Sequence, residues 1–66
     1  MSDFRDRLVA EHKELVERIV KLSTFINVDM FQILEEDEQN DMKAQLKAMI
    51  NYRDVLERRM RRKNLL

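Results

Sequence analysis

In all 66 residues there is no glycine, no proline and no cysteine. Glycine and proline supply the backbone conformations of tight turns, strand bulges and sharp helix ends. A chain that lacks both has few ways to reverse direction, so long helices with few breaks are its default structure. The missing cysteines exclude a disulfide framework and thiolate zinc sites. A chain of this length forms one domain, residues 1–66. Its apolar core is marginal when alone, and with no disulfide or metal to support it, self-association is the remaining route to stability.

The apolar pattern has a helical period. Leu8, Leu15 and Leu22 form one heptad row, and Arg5, His12, Ile19 and Ile26 form the row three residues before each. Val9 and Val16 widen the stripe into the broad face of a packed helix. With Ser2 and Asp3 as the start, the spacing predicts a helix over about 3–26. Acid-first i,i+4 pairs, Asp3–Arg7, Glu14–Arg18 and Glu17–Lys21, support it.

Asn27 is expected to end this helix in the left-handed cap conformation. The run Asp29-Met30-Phe31-Gln32 reads as a capping box, with Val28 and Ile33 as its hydrophobic staple, so a short helical segment is expected at about 30–34. No apolar residue occurs from Glu35 to Asp41, which places a bend near 35–37. A second long helix over about 37–63 carries the rows Met42, Met49, Leu56 and Leu46, Arg53, Met60, with Ile50 beside them. Asp54–Arg58 and Glu57–Arg61 repeat the acid-first pairing.

The fold expected is therefore all-α: an antiparallel helical hairpin with a short connecting helix, assembled into a homo-oligomeric bundle. Matching the stripes sets Ile26 against Met42, Leu22 against Leu46, Ile19 against Met49, His12 against Leu56, and Leu8 against Met60. Val9, Val16 and Ile50 are left partly covered on the flanks.

Thirteen basic and thirteen acidic residues give no net charge, but they are segregated. Five of the seven residues from Glu35 to Asp41 are acidic, and six of the eleven from Arg53 to Lys63 are basic. Each block complements the macrodipole of the helix end on which it falls, and the basic block is denser than a dipole needs. In the hairpin, Arg5, Arg7, Arg58, Arg59, Arg61, Arg62 and Lys63 collect at the open end beside the first helix's amides, a place for anions. The acidic block repels a long nucleic-acid backbone. No apolar run approaches the ~18 residues of a membrane span, and no signal-peptide core begins the chain. A cytosolic protein with no membrane partner is expected.

Residues with chemical potential are few. His12 is the single histidine, so two-histidine metal binding within one chain is excluded; it reads as a packed, hydrogen-bonded residue or as a base. Arg53 lies in the seam near Glu11 or His12, a polar layer that fixes register or binds a ligand. Phe4, beside Arg5 and Arg7, can stack a base or seal the core. Tyr52 and Arg59 share a flank that is a subunit contact or a ligand wall. Lys21, Ser23 and Thr24 combine a cation with two hydroxyls, a combination suited to phosphate. No nucleophile–base pair, metal set or cofactor motif can be named, so no enzymatic activity is expected.

The spacing Asp3-Phe4-x-x-Arg7-Leu8, Glu11, Glu14-Leu15, Lys21-Leu22, Phe25-Ile26, then Phe31-x-x-Leu34, Gln45-Leu46-x-Ala48-Met49 and Tyr52-x-x-x-Leu56-x-x-Arg59 resembles the hairpin domain of phage anti-CBASS and anti-Thoeris sponge proteins and related crAss-like phage small proteins. The resemblance spans nearly the whole chain. It implies a homo-oligomer, typically a hexamer, that sequesters cyclic di- or trinucleotide signals in the host cytoplasm. An aromatic residue and a Lys line the dinucleotide pocket of such proteins, and a hydroxyl residue with an Arg holds trinucleotide phosphates. On that basis Lys21 with Ser23 or Thr24 supplies the Lys and hydroxyl, Phe4 stands where a Tyr is expected, and the Arg is one of Arg58, Arg59 and Arg62. A helical module that docks a host or phage protein, with no small ligand, is the alternative.

Overall fold

A computed structural model describes residues 3–66; Ser2, one of the two expected helix starters, lies outside them. Helix α1 spans Phe4–Ile26, a 3-10 connector spans Asp29–Ile33, and helix α2 spans Glu36–Arg62. The two helices pack antiparallel as a hairpin, as the two stripes required. The Asp3 carboxylate starts α1 by accepting from the amides of Arg5 (2.9 Å) and Asp6 (3.1 Å), so two otherwise unpaired donors are satisfied.

The core is the seam between the stripes. Leu8, Leu15, Ile19, Leu56 and Met60 are buried together, with Leu46, Met49, Ile50 and Leu65 packed against them. His12 Nε2 meets Glu57 Oε2 across the seam at 2.9 Å, one residue from the expected register. The result is a rod of 44 × 19 × 16 Å with a radius of gyration of 14.8 Å, against about 11 Å for a compact domain of this length. Much apolar surface therefore stays outside: Val9, Val20, Tyr52 and Val55 are all exposed. Among the described residues, no helix is long and apolar enough to cross a membrane.

The connecting helix forms close to its expected place, but its caps depart from expectation in three ways. Asn27 has φ −96° and ψ 2°, not the left-handed conformation; its side-chain amide donates to the Ser23 carbonyl at 2.7 Å and ends the helix without a left turn. No capping box forms, because Val28 takes the cap position and makes no side-chain bond. Val28 and Ile33 are both exposed and form no staple, since a 3-10 helix turns every three residues and sets positions five apart on different sides. Phe31 turns inward instead and is 1% exposed. The break before α2 falls close to its expected place: Leu34 and Glu35 are extended, and the acid-rich stretch is helical from Glu36, one residue ahead of the expected start. Its carboxylates complement the helix dipole, and the Gln39 amide ties α2 back to the connector at the carbonyls of Leu34 (2.8 Å) and Gln32 (3.3 Å).

Candidate ligand-binding site

Near the connector end, the hairpin carries a shallow cavity of about 350 Å³ lined by Arg18, Lys21, Leu22 and Phe25 of α1 and by Met42, Gln45 and Met49 of α2. Spacings of three, four and seven put these side chains on one helical face each. Leu22, Met42 and Met49 come from the edge of the packing stripe and make the floor. The two methionines are unbranched and polarizable, so the floor can adapt to an inserted group. No carboxylate lines the cavity.

Among the described residues, neither cation at its rim is in an ion pair. The expected pairs Glu14–Arg18 and Glu17–Lys21 do not close within 4.0 Å, nor do Asp3–Arg7 and Asp54–Arg58; of the five expected pairs, Glu57–Arg61 closes, at 3.7 Å. The Phe25 ring is held from behind by Phe31, edge to face at 6.2 Å and 86°. A fixed aromatic ring beside two free cations over an apolar floor suits a ligand that combines a flat ring with a phosphate. Arg18 and Phe25 were not singled out from sequence as site residues. Their signal was the i,i+3,i+7 spacing with Lys21, or Leu22, between them.

The hydroxyl cluster divides. At 100° per residue, Ser23 sits about 200° around α1 from Lys21, and its hydroxyl donates to the Val20 carbonyl at 3.1 Å. Thr24 is exposed and lies about 60° from Lys21, on the same side of the helix.

The open end forms a second cluster. The Phe4 ring, 51% exposed, has the Arg5 guanidinium 5.9 Å and the Lys63 ammonium 5.7 Å from its centroid. Arg58, Arg59 and Arg62 are exposed and fall within about 100° of arc on α2. Tyr52 is exposed on the flank it shares with Arg59. In the register set by His12 and Glu57, Arg59 lies about eleven residues beyond the position facing Lys21, roughly 16 Å along the rod. One chain does not bring Lys21 and the arginines onto a common phosphate.

Between the two clusters lies the polar layer. His12 meets Glu57, and Arg53 turns along its own helix, with Nη2 3.4 Å from Asp54 and Nε 3.9 Å from Glu57. Of the two neighbours expected for Arg53, Glu11 and His12, His12 is the one that shares its partner: both meet the same oxygen of Glu57. The hydrogen bond from His12, aided by the charges of His12, Arg53 and Arg61, holds the Glu57 carboxyl below the usual carboxylate range against an opposing desolvation. Arg53 Nε is buried without a hydrogen-bond partner.

A family model described as Sequestin matches residues 2–62. No curated protein and no solved structure matches the chain.

Proposed function

The chain belongs to the Sequestin family, and from that premise we propose that it is a non-enzymatic phage sponge that binds and sequesters cyclic di- or trinucleotide signals of bacterial defence. The observation that carries this reading is the cavity in which the Phe25 ring stands beside unpaired Arg18 and Lys21. A cyclic oligonucleotide offers what that cavity can hold, a stacking base and a nearby phosphate.

Magnitudes favour an oligomer as the working unit. Charge-assisted contacts contribute roughly 1.5–3 kcal/mol each, so the two cations of one cavity fall short of the ~12 kcal/mol of nanomolar binding. The cavity also sits at the low end of the ~300–1,000 Å³ of ligand sites, smaller than a whole cyclic dinucleotide needs. We therefore place several copies around each ligand, a hexamer by the resemblance, in the cytoplasm of the infected cell. The exposed Val9, Val20, Tyr52 and Val55 are available for that assembly. Arg58, Arg59 and Arg62 of one copy then reach phosphates held by Lys21 of another.

A thermal-shift panel of cyclic di- and trinucleotides against the purified protein tests the reading. A cognate ligand at ~100 times its dissociation constant adds ~2.7 kcal/mol of stability and is recovered intact after heat denaturation. Lys21→Glu abolishes the shift and Arg59→Glu abolishes it for one ligand class. Arg61→Glu, which loses a surface pair with Glu57, leaves it. A panel without a single shift, or recovery of hydrolysed ligand, overturns the reading.

A further inference from the structure

The two ends of the rod carry opposite charge, and neither can neutralise the other. Glu35, Glu36, Asp37, Glu38 and Asp41 stand at the connector end, and Arg58, Arg59, Arg61, Arg62 and Lys63 at the open end. The molecule is 44 Å long, several times the ~8 Å Debye length at physiological ionic strength. Among the described residues none of those five acids is in an ion pair, and of the five bases Arg61 alone is, with Glu57. Within one chain the two ends are too far apart to pair with each other, so a second copy can offer each end its opposite charge.

Each charged end also presents apolar surface. Met30 and Ile33, at 66% and 78%, are the most exposed large apolar side chains among the described residues. Three apart in a 3-10 helix, they eclipse into one knob. The knob is held firmly: Phe31 beside it is buried, and the Gln39 amide bonds the Leu34 and Gln32 carbonyls around it. At the opposite end the half-exposed Phe4 ring has Arg5 and Lys63 at 5.9 and 5.7 Å from its centroid.

We propose that the connector end of one copy docks on the open end of a second copy, head to tail. Met30 and Ile33 meet Phe4, and the carboxylates of the connector end meet the open-end arginines. Such a contact is heterologous, so the series closes as a ring or continues as a filament. Phosphates compete for the same arginines, so anion binding at the open end opposes docking. The contact does not rest on the identity of the ligand proposed above.

Sedimentation velocity tests this in low and high salt, at ~20 mM and ~500 mM, where screening differs strongly. The variants are Glu35→Lys/Glu38→Lys, Arg58→Glu/Arg62→Glu, their equimolar mixture, and Ile33→Ser. Wild-type association rises with concentration in low salt and declines in high salt. Each double variant alone weakens it about tenfold by removing most of the net charge of one end, and mixing restores pairing, because the unaltered tip of one meets the unaltered connector of the other. Ile33→Ser keeps its helicity, since the side chain it replaces is exposed, and weakens association in every combination. Rescue on mixing with no effect of Ile33→Ser overturns the end-on contact in favour of side-by-side pairing. Absence of salt-sensitive association overturns it too, and leaves the knob to a different protein.

Discussion

The two ends of the hairpin are each closed by one apolar side chain from outside the heptad rows, but by different means. At the connector end Phe31 is buried from a 3-10 turn that Gln39 bonds into place. At the open end Leu65 packs on the core because Asn64, at φ 58°, turns the chain back. There the Leu65 amide donates to the Met60 carbonyl at 2.8 Å and the Asn64 amide to the Arg61 carbonyl at 3.0 Å, the bond pair of a Schellman cap. In a chain without glycine, asparagine supplies the left-handed residue at one helix end and not at the other. The route of the chain beyond each asparagine makes the difference. Leu65 can reach back to Met60 after a left turn, whereas the chain after Asn27 has to travel outward to carry Phe31 beneath Phe25.

Breaking the connector end has the largest effect. Phe31→Ala removes a fully buried ring and should cost ~3–5 kcal/mol, measured by urea denaturation at fixed protein concentration. It should also loosen Phe25, so ligand binding should weaken in molecules that remain folded. A loss below about 1 kcal/mol would mean that the connector is not a structural closure.

At the open end the closure is conformational, and the effect is smaller. Asn64→Ala keeps a short side chain but imposes the left-handed penalty of an ordinary residue, ~1–2 kcal/mol. Leu65 should lose protection in hydrogen exchange, along with the last turn of α2, while the connector amides stay unchanged.

Between the ends, the polar layer responds to pH. The Glu57 carboxyl is held below its ordinary value by His12, with Arg53 and Arg61 adding to the effect. A carboxylate with a depressed pKa in the folded state adds stability above its unfolded value, about 4.3 for a free glutamate, and that stability is lost as pH falls through the folded value. Wild-type protein should therefore lose stability as pH drops below about 4.3, and Glu57→Gln should flatten that part of the profile. The effect is modest, because the pair is partly exposed and screened. An acid limb unchanged in Glu57→Gln would assign the loss to other carboxylates.

The helices were legible because their signal is repeated. Heptad rows from Leu8 to Ile26 and from Met42 to Met60 determined both elements to within a residue or so, and the register to within one. The short connecting helix was legible, at Asp29–Ile33 against about 30–34; its capping was misread because the sequence supports an α-helical cap as well as the 3-10 turn it adopts, and the deciding contact, Phe31 under Phe25, is tertiary. Lys21, read from the sequence as a phosphate partner, does line the cavity. Arg18 was hidden because an acid four residues earlier offered an ion pair that the fold leaves open. Ser23 looked adjacent to Lys21 in sequence but faces away, since two residues on a helix are nearly opposite.

The finest test of the contrast between the ends is one substitution made at both asparagines. Glycine adopts φ 58° without the Cβ penalty, so Asn64→Gly relieves the strain of a left-handed residue and should stabilise the protein by roughly 0.5 kcal/mol after the entropy cost of glycine. Asn27 is already on the favourable side of the map, at φ −96°, and its side chain closes the Ser23 carbonyl. Asn27→Gly loses that exposed hydrogen bond and adds freedom to the unfolded chain, and should destabilise by a similar ~0.5 kcal/mol. For a domain of this size the melting temperature should move about 2–4 °C in opposite directions. Shifts of the same sign would mean that the two helix ends are closed in the same way, and that the left-handed turn at Asn64 contributes nothing to holding Leu65 on the core.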